Sequence, residues 1–406
     1  MKKLIVAAAG LMLVGAMVSN ASAEAGMSFK GDARARGLYR DNYYFGELTD
    51  AAGNKLDDDK SQWQSRVRVI FQGESKGGAY ANARVRFADS SWDGTQKTRA
   101  LGEGSNIYTD WAYVGTPMGP LAVEAGLLPW NLTKWSQWDQ RVDGLNVKYV
   151  NDMTTVMAFY QKMDEFDNSA TDPVYRNGKQ IGTMDLVDDD DMDRYGVYVN
   201  QKFDGGWGVV GAVMMMNDDQ GKDASDRDGV AALAEVTGTI GNVAVLADAH
   251  WQEADVDPLL FSNGDDPYGG YLQAVVPVGA VNLLGGVGTT QNGFVVDGDF
   301  QQFIMLSDDS SIATAYGVGA FGDTNFVLLS PSMKVTEQLT LTGVASYLDI
   351  DANDSFSEAD SAFELSGRAA YAVTDGATLS AEAGYLDVDG FEEPAIGAGL
   401  ILVIGF

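Results

Sequence analysis

The amino-acid sequence predicts an all-β protein, an antiparallel transmembrane β-barrel of about 18 strands. Three observations indicate this fold: an N-terminal export segment, apolar and polar residues that alternate with period two, and connections that alternate between short turns and long acidic loops. Strands of ~10 residues connected in this way are typical of outer-membrane barrels. After the export segment, no apolar run approaches the ~18 residues that a membrane-spanning helix needs.

Residues 1–23 have the features of a cleavable signal peptide. Lys2 and Lys3 precede an apolar run over 4–18, and Ala21-Ser22-Ala23 supplies a small-residue cleavage site. A membrane anchor is disfavoured because the apolar run is shorter than ~20 residues. We expect cleavage after Ala23, export of the protein, and one barrel over 24–406.

The first segment of the mature chain shows the alternation clearly. Ala33 and Ala35 fall on one face of a predicted strand, and Arg34 and Arg36 fall on the other. Such a pattern predicts a strand with one apolar and one polar face. The same pattern recurs over 62–71, 81–87, 243–252, 363–371 and 379–385.

The connections are of two kinds, and they alternate along the chain. Short turns are predicted over 74–78, 116–120, 204–206, 241–242, 336–338 and 374–376. Long acidic loops are predicted over 41–60, 90–105, 164–191, 217–228, 253–267 and 351–360. In an outer-membrane barrel the turns face the periplasm and the loops face the outside, and the strand number is even. We therefore expect about 18 strands, within a range of 16 to 20.

A soluble β-sandwich or β-solenoid would also alternate with period two. The barrel is favoured because Tyr, Trp and Phe fall at the predicted strand ends, where aromatic rings prefer the membrane interfaces. Examples are Tyr39, Trp63, Phe203, Tyr371 and Tyr385.

The C-terminal segment supports a lipid-facing last strand that closes on the first. Leu400, Leu402, Ile404 and Phe406 fall on one face, and the chain ends on the aromatic residue. With the signal peptide and the alternating strands, this ending resembles Gram-negative outer-membrane porins. The resemblance implies location in the outer membrane, among lipid and lipopolysaccharide, and a homotrimer. It also implies that Phe406 belongs to the signal read by the barrel-assembly machinery, although Ile404 stands where a second aromatic residue is usual.

The sharpest local match to porins spans 126–149. In porins a similar stretch leaves a strand and folds into the lumen as the third loop, so the resemblance implies an inward constriction loop over 127–143. The glycine-rich acidic sequence of that loop is not evident here. The segment instead holds Trp130, Trp135, Trp138, Lys134, Asp139 and Arg141.

Six arginines fall on the polar face of the first three predicted strands: Arg34, Arg36, Arg66, Arg68, Arg84 and Arg86. They must face a wet lumen, since an arginine at the bilayer midplane costs ~2–4 kcal/mol. Two interpretations stay open: a structural ladder neutralised by nearby acids such as Asp32, or one wall of a charged pore constriction. The porin resemblance implies acids on the inward loop opposite such a wall. The candidates are Glu124, Asp139 and Asp143, with Arg141 beside them.

The acidic loops are interpreted either as a solvated surface or as sites for Ca²⁺ or Mg²⁺ beside anionic lipopolysaccharide. One segment has a weak EF-hand-like spacing, with candidate ligands Asp349, Asp351, Asn353 and Asp360. Its sixth position is Asp354, where such a loop needs Gly, and its twelfth is Asp where Glu is usual. No other cofactor is expected.

Composition excludes several classes of function. A formal net charge of −31 disfavours nucleic-acid partners, and the absence of Cys excludes disulfides and thiolate metal sites. The single His, His250, has no accompanying serine motif, so an enzyme is disfavoured and a lumen-lining role is expected. We expect a channel for passive diffusion of ions and small hydrophilic solutes, cation-preferring at low salt because acidic loops surround its mouth. The alternative is a structural or adhesive barrel with a plugged lumen.

Overall fold

The computed structural model describes residues 26–45, 48–49, 55–56, 59–92, 107–165, 171–176, 179–185, 191–218, 228–254, 256, 265–307 and 310–406. The signal peptide predicted over 1–23 lies outside these residues. No helix within these ranges is long and apolar enough to cross a membrane.

Eighteen strands of the described chain form a single sheet. They are β1 (Gly26–Asp41), β2 (Lys60–Glu74), β3 (Tyr80–Ser91), β4 (Ile107–Met118), β5 (Leu121–Trp130), β6 (Gln140–Val150), β7 (Thr154–Glu165), β8 (Asp191–Phe203), β9 (Trp207–Asp218), β10 (Gly229–Ile240), β11 (Val243–Gln252), β12 (Tyr268–Val278), β13 (Val281–Gln291), β14 (Gly322–Lys334), β15 (Leu339–Ala352), β16 (Ser361–Thr374), β17 (Ala377–Val388) and β18 (Ala395–Gly405).

The sheet closes into a barrel. Every strand pairs antiparallel with its neighbours in sequence, and β1 pairs with both β2 and β18. At the closing seam Ala35 lies opposite Leu402, and the backbones of Gly31 and Phe406 exchange hydrogen bonds of 2.7 and 3.0 Å. The expected barrel of about 18 strands and the pairing of its last strand with its first are confirmed.

The two ends of the barrel differ in the length of their connections. Tight turns such as 119–120, 241–242, 279–280 and 375–376 join strands at one end, which also holds Gly26 and Phe406. Long connections lie at the other end, and two of these contain small hairpins, 48–49 with 55–56 and 171–176 with 179–185. The longest connection, 292–321, was not among the predicted loops.

The outer face of the barrel is apolar. Large aliphatic side chains at alternating strand positions are exposed, among them Val213, Leu272, Val327 and Leu365. Exposed aromatic rings include Phe29, Tyr39, Trp63, Phe203 and Tyr371. Such a surface suits lipid rather than water, with aromatic rings at the two interfaces. The barrel is therefore a transmembrane one.

A hydrophobic core lies inside the barrel, where the sequence predicts a wet lumen. It is formed by the 292–321 connection packed against the inner faces of β12 and β14 to β18, and includes Phe294, Phe303, Ile312, Phe326 and Leu386. A connection between strands thus fills the barrel interior beside these six strands.

Candidate pore constriction

The first inward segment is the loop 131–139, which connects β5 to β6. It closes on itself through two backbone hydrogen bonds between Leu132, Thr133 and Gln137, and Trp130 Nε1 donates to Gln137 Oε1 at 2.7 Å. This loop is the central part of the inward segment predicted over 127–143; the flanking residues belong to the strands.

Trp135, at the tip of this loop, lies against the far wall. Its side chain is 1 % exposed, and its ring stacks on Tyr271 of β12 and contacts Phe326 of β14. Strand β12 lies nearly half-way round the barrel from β5. The loop therefore crosses the lumen.

The second inward segment is the connection 292–321, and it binds the first. The Asp297 amide donates to the Trp135 carbonyl at 3.0 Å, and the Trp138 amide donates to the Asp297 carboxylate at 2.9 Å. Trp135 also contacts the rings of Phe294 and Phe300. The two segments form one unit across the lumen.

Two buried carboxylates of the wall hold 292–321 in place. Glu364 of β16 accepts hydrogen bonds from the amides of Ile304 and Met305 at 2.9 and 3.1 Å. Glu382 of β17 accepts from the amide and hydroxyl of Ser311 at 3.1 and 2.8 Å. The period-two alternation predicts that both carboxylates lie on the polar face of a strand. It does not indicate that their partners are backbone amides.

The six predicted arginines lie together on the lumen face of β1, β2 and β3. Arg34 is opposite Arg66 and Asp32 is opposite Arg68 between β1 and β2, and Arg68 is opposite Arg86 between β2 and β3. We call this surface the arginine wall, which consists of Arg34, Arg36, Arg66, Arg68, Arg84 and Arg86.

Carboxylates neutralise part of the arginine wall. Asp32 lies 2.8 Å from Arg68 Nε and 3.7 Å from Arg66 Nη2. The inward-loop residue Asp139 lies 2.9 Å from Arg84 and 3.0 Å from Arg141, so this predicted acid does meet the wall.

Asp110 of β4 is the acid that sequence reasoning missed. It is 3 % exposed and forms ion pairs with Arg84, with Arg86 at 2.9 Å and with Arg141 at 2.7 Å. A β-bulge between Arg84 and Val85 shifts the register with β4, and both Asp110 and Trp111 are buried. Because a bulge breaks the alternation of faces, the period-two pattern did not place Asp110 in the lumen.

The other two predicted acids lie elsewhere. Asp143 is exposed on the same face of β6 as Leu145, while its neighbours Val142 and Asn146 are buried on the inner face. The expectation that Asp143 opposes the arginines is therefore wrong, because its position in β6 gives it the outer face.

Glu124 of β5 does face inward, but its partners belong to another part of the wall. It lies 2.5 Å from Lys148 Nζ and accepts a hydrogen bond from Tyr80 at 2.7 Å. Its charge is therefore balanced locally rather than by the arginine wall.

An open cavity of about 350 Å³ lies beside the arginine wall. Its lining includes Arg34, Arg36, Arg66, Arg68, Gln301 and Arg368. Gln301 belongs to the inward connection 292–321, so the cavity lies between that segment and the wall. Arginines outnumber carboxylates among the described residues of this lining, so the surface of the cavity is basic.

The predicted cation ligands are not gathered into a site. Asp349 and Asp351 are exposed at the end of β15, and the side-chain oxygen of Asn353 accepts a hydrogen bond from the Ser355 amide, which caps the short 3₁₀ turn Asp354–Phe356. Within the described parts of the chain, no group of three or more acidic or histidine side chains is placed to hold a metal ion. His250 is buried on the inner face of β11, against Phe294.

This architecture is shared by solved structures of outer-membrane proteins, among them a porin. A BenF-like porin from Pseudomonas fluorescens Pf-5 matches with a TM-score of 0.58 and 12% identity over 94% of this chain and 98% of that one. Pseudomonas aeruginosa OpdQ matches with a TM-score of 0.59 and 12% identity over 94% and 97% of the two chains. Pseudomonas aeruginosa OccK2 (OpdF), in complex with glucuronate, matches with a TM-score of 0.58 and 10% identity over 94% and 98%.

No protein-family model matches the sequence, and no curated protein matches it. At these low identities the likeness is one of fold. The barrel of this chain is a porin-like barrel over nearly its whole length, as the C-terminal and strand patterns predict.

Proposed function

We propose that this chain is an outer-membrane porin of a Gram-negative cell, a water-filled channel for passive diffusion of ions and small hydrophilic solutes. The observation that supports this most directly is the charged cavity between the arginine wall and the inward segment 292–321. A lumen lined by charged side chains inside a barrel with an apolar exterior is the arrangement of a porin.

Two sets of charges act on a permeating ion in this proposal. The long loops carry much of the acid behind the net charge of −31 and concentrate cations at the mouth. The arginine wall is deeper and attracts anionic groups. Exposed loop charge is screened over about 8 Å at physiological salt, so its influence declines as salt rises. The channel therefore prefers cations at low salt, and this preference falls with added salt.

The basic lining also suits solutes that carry a carboxylate. The porin OccK2 (OpdF), which shares this fold, was crystallised in complex with glucuronate. Guanidinium groups bind carboxylates with paired hydrogen bonds, and Arg34, Arg66 and Arg68 line the open cavity here.

A second candidate function is a structural or adhesive barrel with a plugged lumen. The apolar packing of the 292–321 segment against the inner wall favours it. Planar-bilayer recordings of the purified protein separate the two: a porin gives steady conductance steps, whereas a plugged barrel gives none.

The proposal extends to the surroundings of the barrel. The chain is exported, assembles through Phe406 with the barrel-assembly machinery, and forms a homotrimer among lipid and lipopolysaccharide. Its acidic loops form either a solvated surface or sites for Ca²⁺ or Mg²⁺ beside the lipopolysaccharide. Small outward side chains such as Ala33 and Ala35 allow close packing between barrels. Native mass in mild detergent tests the trimer, and a clean monomer contradicts it.

A further inference from the structure

We propose that Asp110 is the positioning residue of the constriction: it holds the inward loop 131–139 against the arginine wall and so sets both aperture and ion selectivity. This inference rests on the proposed channel function. It assigns this role to a strand residue that was not among the acids predicted from the sequence.

The first observation is how Asp110 comes to face the lumen. A regular strand would send Asp110 and Trp111 to opposite faces, but the bulge opposite Arg84 and Val85 brings both into the interior. Bulges are found next to functional sites because they redirect a side chain. The carboxylate is 3 % exposed, so its charge is stabilised by its neighbours rather than by bulk water.

The second observation is a closed ring of opposite charges. Asp110 binds Arg84 of β3 and Arg141 of β6, and Asp139 of the inward loop binds the same two arginines. Arg86 adds a third arginine to Asp110 at 2.9 Å. Each acid of the ring thus bridges the wall and the strand that follows the loop.

The third observation is that Asp139 is held in a strained backbone conformation. Its φ is 44°, in the left-handed region, and its amide donates to Asn131 Oδ1 at 2.7 Å across the base of the loop. Such a conformation persists where surrounding contacts determine it. Arg84 and Arg141 supply those contacts, and Asp110 holds both arginines in place.

Asp32 offers a matched comparison on the same wall. It also pairs with two arginines, Arg66 and Arg68, but both belong to β2 and neither pairs with Asp139. Removing the charge of Asp32 or of Asp110 therefore takes one negative charge from the lumen. Only the removal of Asp110 also breaks the ring that holds the loop.

The test compares wild type with D110N, D32N and D143N, the last a charge change on the outer face. Reversal potentials and the size cut-off of neutral sugars in proteoliposomes are measured. We expect D110N and D32N to shift selectivity toward anions and D143N to leave it unchanged. Only D110N should raise the size cut-off. A D110N channel with the wild-type cut-off, or an equal rise in D32N, overturns the positioning role.

Amide hydrogen exchange of the peptide covering 131–139 gives a readout that does not depend on conduction. D110N should speed exchange on the order of tenfold, which corresponds to a loss of about 1.4 kcal/mol from the ion pairs that hold the loop. D32N should leave it unchanged. If D110N fails to assemble, R141Q is the second variant, and its 131–139 peptide should show the same increase in exchange rate. Unchanged exchange overturns the inference, whereas a wild-type protein without conductance overturns the channel function alone.

Discussion

The indole of Trp135 stacks on the phenol ring of Tyr271, with 5.5 Å between ring centroids and 9° between ring planes. Trp135 belongs to the loop after β5 and Tyr271 to β12, so this contact joins two walls across the lumen. Buried aromatic pairs contribute ~0.5–1.5 kcal/mol beyond the area they bury. The position of the inward loop thus depends on an apolar contact at its tip and on an ionic contact at its base.

Replacing Trp135 by Ala should release the tip of the loop and widen the passage. We expect a higher single-channel conductance and a loss of ~3–5 kcal/mol of unfolding free energy, the usual cost of truncating a buried Trp. The control is Trp92→Ala, because Trp92 is exposed and stacks on Trp63 at the outer surface. Equal conductance in W135A and wild type contradicts the prediction.

A side chain at Gly397 should displace the 292–321 segment. A Cβ at this position would lie 2.6 Å from the Ile312 Cβ, closer than van der Waals contact permits. Gly397→Ala should therefore alter conductance and lower the temperature at which the barrel unfolds in detergent. Gly285→Ala is the matched control, because nothing lies within 4 Å of a Cβ there. If both variants behave alike, Ile312 does not pack against β18 at Gly397.

Removing the carboxylate of Glu364 should weaken the same segment through its hydrogen bonds. Glu364→Ala leaves the amides of Ile304 and Met305 without their acceptor in a buried setting. Each buried unpaired amide costs ~1–3 kcal/mol, so a clear drop in the unfolding midpoint is expected. Glu392→Ala, at an exposed loop position, is the control. The heat-modifiable gel shift measures both, and an unchanged midpoint for E364A would count against this anchor.

Deleting Phe406 should impair assembly of the barrel. Phe406 exchanges two backbone hydrogen bonds with Gly31, and their loss leaves polar backbone groups of the seam unpaired in lipid. We expect less heat-modifiable barrel in the outer membrane, measured by fractionation. Undiminished barrel from the truncated chain would show that the terminal residue is dispensable.

The barrel and the arginine wall could be predicted from sequence because each follows from a local rule. Period-two alternation gives the face of each residue, and Arg34, Arg66 and Arg84 then face the lumen because lipid excludes them. The short turns and long loops give the antiparallel order, which brings the three strands together.

The rest of the site depends on contacts that the period-two alternation does not predict. Asp110 faces the lumen only because of a bulge. The 292–321 segment has no regular alternation, and its partners are spread over six strands. Asp143 shows the converse case, since its charge and nearness to the loop suggested a lumen role that its strand position excludes. The charge of a residue does not predict that it faces the lumen, because its position in the strand determines which face of the barrel it occupies.

The effect of the arginine wall on ion selectivity is tested by the reversal potential across a KCl gradient, recorded at several salt concentrations for wild type and for a variant with Arg34, Arg66 and Arg84 replaced together by Gln. We predict that wild type prefers cations at low salt and that this preference falls as salt rises. The triple variant should prefer cations more strongly at every concentration, because it lacks the opposing basic field of the wall. An unchanged selectivity in the triple variant would show that the arginines do not act on the permeating ion, and would contradict a role for the arginine wall in selectivity.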